Sequence, residues 1–507
     1  MNQLLAKYGL ACVVALVALN AAPTVSYAQV ANGPEVLAMA ANIDNDTFAR
    51  ASIRLGTREP YWLPVYDTLV HLTSDAKLEP GMATAWQWNE AGDALTLTLR
   101  EGVKFTDGTP FDSEVVRANL IALRDGGGEN AFMLASLRDV EIASPTKVVL
   151  RLSAPDPALI ENLASAAGAM ASTISITALD AATRPIGSGP YVLDADATVP
   201  GRQYVYRSNP DYWDGALVKF KTLTITPISD LSARLNSLRS GQIDAALGDA
   251  TVVAEAKGSG LSVTTYPVDW EGVLIADRNG KVLPALADKR VRQAIALAFD
   301  KESILKFMRA GSGTVTSQIF SKDASAYVAE LDNTYGYDRE RARKLMAEAG
   351  YVDGFSITLP ELRLFAAFTP VVTQMLGEIG IKANWVPVAP TEAIAELQSG
   401  KYPMFVIRLA AQTSWSDIRR VVAPDASWNM THAQNEELNA LINAAQRASS
   451  EEERTVAYQN INRWLVEEAW FAPWYRVDSV ILTNKEVEVH PRPWSVASSV
   501  QYFQPRN

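Results

Sequence analysis

One hydrophobic core stops growing near ~250–300 residues, and this chain has 507. Its residues must therefore be shared between at least two lobes. Strand-like and helix-like patterns alternate along most of the length, which predicts an α/β class rather than an all-helical or all-β fold. The only cysteine is Cys12, near the start, so no disulfide is available to hold the lobes together. With 48% hydrophobic and 20% charged residues, ordinary burial can do that work.

The first residues read as an export signal. Lys7 supplies a positive charge, Gly9 to Ala22 is almost wholly apolar, and Pro23 breaks the run. Ser26-Tyr27-Ala28 places small residues where a signal peptidase reads, so residues 1–28 are expected to be a signal peptide cleaved after Ala28. An N-terminal membrane anchor is the competing reading, but the apolar run falls short of the ~20 residues that span a bilayer. Gly9-Leu10-Ala11 lacks the leucine usually found three residues before a lipidated cysteine, which argues against lipid attachment at Cys12.

Several local elements follow from turn and cap chemistry. Leu95 to Leu99 alternates with threonine as a half-buried strand does. Asp107-Gly108 predicts a turn. Asp112 is an N-cap, with Phe111 and Val116 placed for a hydrophobic staple. Leu231, Leu235 and Leu238 share a helix face that Gly241 can end, with Gln242 to Ala245 expected as a strand. Asp288 and Asp300 are suited to cap two further helices. Arg341 to Ala349 reads as another, closed by Gly350.

Motifs for chemistry are scarce. The net charge of −11 and the lack of a Lys/Arg-rich run argue against nucleic-acid binding. No Gly-x-Ser-x-Gly elbow, phosphate loop or dinucleotide fingerprint is present. The three histidines, His71, His432 and His490, form no metal-binding pattern. We therefore expect no catalytic residues, metal or cofactor, although abundant carboxylates leave a two-carboxylate hydrolase open. Twelve tryptophans are many for this length. Trp270, Trp385, Trp415 and Trp428 fall outside the clearest helices, where indole faces can line a ligand pocket or fill a core.

An ordered set of segments resembles one family, the extracellular solute-binding proteins (family 5) of dipeptide, oligopeptide and nickel ABC transporters. Val65-Tyr66-Asp67-Thr68-Leu69-Val70 and Leu78-Glu79-Pro80-Gly81-Met82-Ala83 open the series. Leu97 through Phe111, containing Arg100-Glu101-Gly102-Val103-Lys104-Phe105-Thr106-Asp107-Gly108-Thr109-Pro110, is the most specific piece. Gly187-Ser188-Gly189-Pro190-Tyr191, Asn209-Pro210-Asp211-Tyr212-Trp213, Gly241-Gln242-Ile243-Asp244 and Asp288 through Ile295 follow in family order. Ala347-Glu348-Ala349-Gly350-Tyr351 and Ile379-Gly380-Ile381 are weaker matches.

The resemblance implies a two-lobed periplasmic-binding-protein fold with a two-stranded hinge, its larger lobe split into two subdomains. Residues 29–68, 186–270 and 476–507 would form the first lobe's core, 69–185 its accessory subdomain, and 271–475 the second lobe. It implies a periplasmic, monomeric component of an ABC importer that delivers a small peptide or peptide-like solute to an inner-membrane permease. An envelope hydrolase acting on saccharides or peptides, or a ligand sensor using the same fold, is the alternative. In peptide-binding members an aspartate shortly after a tryptophan holds the ligand's amino terminus. Trp415-Ser416-Asp417 is the nearest match, one residue shorter, with Ser414 where glycine is common. Pro360-Glu361-Leu362-Arg363 resembles the setting of a carboxylate-binding arginine. Asp44-Asn45-Asp46-Thr47-Phe48 replaces a Leu-Asp-Pro-like turn in a region that often lines the cleft. The expected ligand-binding residues are thus Asp417, Trp415, Arg363, Trp270, Asn45 and Trp428, with a peptide, sugar, opine or metal complex as the possible occupants.

Overall fold

Val36–Ala41 is a short apolar strand buried on both faces, as a central strand of a covered sheet must be. It pairs in parallel with Thr222–Pro227 on one side and with Ala245–Gly248 on the other. The computed structural model describes residues 35–74, 77–389, 392–448, 450–492 and 495–506. The expected signal peptide, with Lys7, Cys12 and the cleavage point after Ala28, lies outside the described residues.

Two long strands organise the molecule. Ser262–Ile275 and Phe471–Thr483 run antiparallel from Ser262 opposite Thr483 to Leu274 opposite Phe471. At one end, Phe471–Thr483 also pairs with Ala245–Gly248 and so joins the sheet of the first lobe. At the other end, Ser262–Ile275 pairs with Met404–Ala410 of the second lobe. The two strands are therefore the connection between the lobes. Their register shifts between Pro267 and Asp269 and again between Glu271 and Gly272. A side chain at Gly272 would lie 2.6 Å from the Ala472 carbonyl oxygen, so only glycine fits the second shift.

Burial follows the same division. One core gathers residues from Trp270 to Tyr475, including Phe299, Phe368, Trp464, Trp470 and Trp474. Another gathers Leu37, Met39, Trp62, Leu95, Leu150 and Ile225. Ala38 and Ala40, on the opposite face of Val36–Ala41, join Leu235, Leu238 and Leu482 in a third. Within the first lobe, Ala83–Trp88, Ala94–Leu99, Lys147–Leu152 and Leu137–Ser144 make a separate antiparallel sheet in that order. Helix Ser113–Asp125 packs on it.

Most local expectations match the structure. Leu95, Leu97 and Leu99 are buried while the intervening threonines are less so. The Asp112 carboxylate accepts from the Glu114 and Val115 amides at 3.0 and 3.1 Å. Asp288 and Asp300 cap Lys289–Ala298 and Lys301–Arg309. Gly187 and Gly189 press against the Val65 backbone, which explains both glycines of that segment. Two boundaries differ. The strand expected from Gln242 begins at Ala245, because the Gln242 and Ile243 amides fold back onto the Ser237 carbonyl. Helix Arg339–Glu348 starts two residues early, because Asp338 caps it by accepting from the Arg341 amide.

Candidate functional site

A cavity of about 630 Å³ lies between the accessory part of the first lobe and the second lobe. Its first wall is the turn after strand Lys147–Leu152, with Ser153, Pro155 and Asp156, together with Ser136 and Asn162. The opposite wall is short helix Ser414–Asp417 and the turn Ile418–Val422, supplying Trp415, Ser416, Arg419 and Arg420. The Gln446 side-chain amide donates to the Pro155 carbonyl at 2.8 Å, a direct bond between the two sides. A second cavity, at the ends of the first-lobe strands, is only about 20 Å³, room for little more than a water.

The Trp415 segment is anchored from below. Thr413 caps its helix, and the Ser414 hydroxyl accepts from the Ala326 amide at 2.9 Å. Ser414 thus uses its side chain where the resemblance suggested glycine. Trp415 is almost wholly buried and lies 6.2 Å from the Tyr458 ring while still lining the cavity.

Asp417 is not surface charge: it is 3% exposed. One carboxylate oxygen accepts from Arg420 Nη2 at 2.7 Å and the other from the Gln412 amide at 3.1 Å. Burial pushes its carboxyl above the usual range, against the pull of Arg420. Arg420 Nη2 also donates to the Ala410 carbonyl. Arg419 is occupied by a bidentate pair with Asp425 at 3.0 and 2.8 Å.

Charges continue from this wall toward the hinge. Glu271 is fully buried and accepts from Arg408 Nε at 3.0 Å, from Arg309 and from the Tyr475 hydroxyl. Asp269 lies two residues before it, and burial pushes its carboxyl up to about 6. One Asp269 oxygen is buried without a partner among the described residues. On the first lobe, Glu161 has one buried oxygen in the same condition, and burial pushes its carboxyl up to about 7. Asp156 is raised by burial as well, while accepting from the Ser136 hydroxyl at 2.6 Å.

Of the residues singled out from sequence, Trp415 lines the cavity and Asp417 stands directly behind it. Trp428 packs 6.3 Å from Phe405, one residue after the lining Ser427. Trp270 packs edge-on against Phe471 in the core of the second lobe. Asn45 donates to the Thr47 carbonyl at 3.1 Å and its own carbonyl accepts from the Tyr204 hydroxyl. Arg363 is exposed at the start of turn Arg363–Phe368. Trp270, Asn45 and Arg363 are not among the lining residues. Sequence reasoning missed Asp156, Arg420 and Gln446. A signal existed for two of them: Pro155-Asp156-Pro157 is a stiff acidic turn, and Arg419-Arg420 follows the tryptophan segment after Ile418. Among the described residues no cluster of His, Cys, Asp and Glu could hold a metal, and no helix is long and apolar enough to cross a membrane.

Residues 77–420 match the model for bacterial extracellular solute-binding proteins, family 5 middle. The glutathione-binding protein GsiB of Salmonella paratyphi A is 27% identical over 449 residues, covering 84% of this chain and 85% of that relative. Among solved structures, HbpA2 from Haemophilus parasuis superposes with a TM-score of 0.81 at 20% identity, covering 93% of this chain and 100% of that one. The periplasmic binding protein DppA from Helicobacter pylori, in complex with the peptide STSA, superposes at 0.73 and 20% identity, covering 93% and 97%.

Proposed function

This chain belongs to the bacterial extracellular solute-binding proteins of family 5, and from that premise we propose that it captures a small peptide-like solute between its lobes. Proteins of this family serve ABC importers, so the cargo goes to a permease. The observation that carries the peptide-like reading is the cavity's lining. Asp156 on one lobe faces a wall holding Arg420 on the other, with serine, asparagine and glutamine side chains between them and Trp415 as an apolar surface. Such a surface suits a compact ligand with both charges and several amides.

Because the lining comes from both lobes, a bound solute bridges them and favours the closed arrangement, a population shift about the two connecting strands. We assign residues 29–68, 186–270 and 476–507 to the first lobe's core, 69–185 to its accessory part and 271–475 to the second lobe. The protein acts as a periplasmic monomer after cleavage following Ala28, and binds without turnover. The experiment is native mass spectrometry of the mature protein, then calorimetry with glutathione, dipeptides and tripeptides. A one-to-one complex with an intact peptide is expected. Binding confined to sugars would remove the peptide assignment, and release of hydrolysed products would make the protein an enzyme.

A further inference from the structure

We infer that the turn from Pro155 to Ala158 in the accessory part of the first lobe is a latch. It docks directly on the second lobe, and so sets how much of the solute-free protein is closed. The inference rests on the two-lobe binding reading above and goes beyond it, because the device needs no particular cargo.

The latch is a junction separate from the two connecting strands, and its contacts run from protein to protein. The Pro155 carbonyl accepts from the Gln446 side-chain amide at 2.8 Å. Ala158 is 4% exposed and packs in the core of the second lobe, although its neighbours Leu159 and Ile160 pack in the core of the first. Between them, Asp156 lies beside the Trp415 side chain and in the field of Arg419. Moving the lobes apart exchanges each of these contacts for water.

Both halves are built to keep their shape when apart. Prolines at 155 and 157 fix two φ angles, and Pro157 restricts Asp156 to extended backbone. The Asp156 carboxylate accepts from the Ser136 hydroxyl at 2.6 Å and from the Ala158 amide at 3.2 Å, which pins the turn within its own lobe. Gln446 stands near the end of helix Glu436–Arg447, next to the fully buried Ala445. A preformed turn meeting a preformed helix loses little conformational freedom on docking, so more of the contact energy favours closure. The small side chain of Ala158 lets the turn enter the second lobe, where a longer one would hold it off.

One hydrogen bond exchanged with water moves a two-state balance by about two- to tenfold. The apparent affinity for any solute that binds the closed state scales with the closed fraction. The latch therefore acts on every cargo alike, unlike a residue that reads the cargo.

The test measures lobe separation in the mature protein without solute. Cys12 is the only cysteine and leaves with the signal peptide. Lys147→Cys on the accessory part and Lys344→Cys on the second lobe, both at exposed positions, can then carry spin labels. Pulsed electron resonance reads the distance between them. In the otherwise wild-type protein one short distance should be the major population. Gln446→Ala should lower the ratio of short to longer distances by about two- to tenfold. Ala158→Leu should make the longer distances dominant. Both residues also border the cavity, but a role confined to touching cargo would leave the solute-free distances unchanged. Melting curves confirm that both variants are folded. Unchanged distances in both variants overturn the latch. So does a solute-free wild type that shows only the longer distance; if a peptide then shortens it, the binding reading stands without the latch. Because no solute is present, the result does not depend on whether the cargo is a peptide.

Discussion

Glu271 is a carboxylate without solvent contact, in a strand that joins two lobes. Its charge is held by three donors, Arg309, Arg408 and Tyr475, drawn from three separate segments. Replacing it with glutamine leaves both arginines without their counter-charge. Breaking a buried pair from one side costs about 3–5 kcal/mol. Arg309 and Arg408 keep 26% and 31% side-chain exposure, so solvent compensates in part and the lower end applies. Glu271→Gln should therefore lose roughly 3 kcal/mol in urea unfolding at pH 7. A loss below about 0.5 kcal/mol would mean that the cluster contributes little to folding. The residue scale is also where sequence was least legible. Trp415-Ser416-Asp417 stood out as a motif, and Arg420 three residues after the aspartate was a local signal that the reading passed over. Glu271 is different, because its partners Arg309, Arg408 and Tyr475 are distant in the chain and only tertiary packing brings them together.

The connecting strands are the element on which the two-lobe arrangement depends. Gly272 sits at a register shift where a Cβ would approach the Ala472 oxygen, the Pro473 Cα and the Trp474 amide within 2.6–2.7 Å. All three are backbone atoms, so no side chain can move aside. Gly272→Ala should separate the strands locally and cost about 1–3 kcal/mol, as overpacking does. A fall in melting temperature of several degrees is expected, and an unchanged melt would show that the strands can yield there. Elements of this kind were partly legible. Alternation exposed Leu95 to Leu99, and aspartate caps gave three helix starts, because those signals are local. The long strands were not visible as such. Ser262–Ile275 changes from a half-exposed pattern to a fully buried one midway. That change reflects its passage from one lobe to the other. Its neighbours, Ala245–Gly248, Met404–Ala410 and Phe471–Thr483, come from distant parts of the chain.

At the scale of the molecule, Glu161 is expected to make closure sensitive to pH. It belongs to the first lobe, and its carboxyl lies beside Thr413 and within the fields of Arg454, Glu451 and Tyr458 of the second lobe and Asp156 of its own. Burial pushes its carboxyl up to about 7, Glu451 and Asp156 push the same way, and Thr413 and Arg454 oppose them. In an open arrangement the same carboxyl meets water and returns toward the usual glutamate value of about 4.3. Between these two values the closed state binds the additional proton. Closure is therefore favoured as pH falls through about 7, and that advantage is lost as pH rises back through the same range. Because the solute binds the closed state, its affinity should follow, with binding up to about thirtyfold tighter at pH 5.5 than at pH 8. Glu161→Gln, which is neutral throughout, should flatten most of that dependence and bind more tightly than wild type at pH 8. Calorimetry with the best-bound peptide at both pH values decides the matter. An equal pH dependence in wild type and variant would assign the proton to another group, and no dependence in either would show that the two lobes close without drying Glu161.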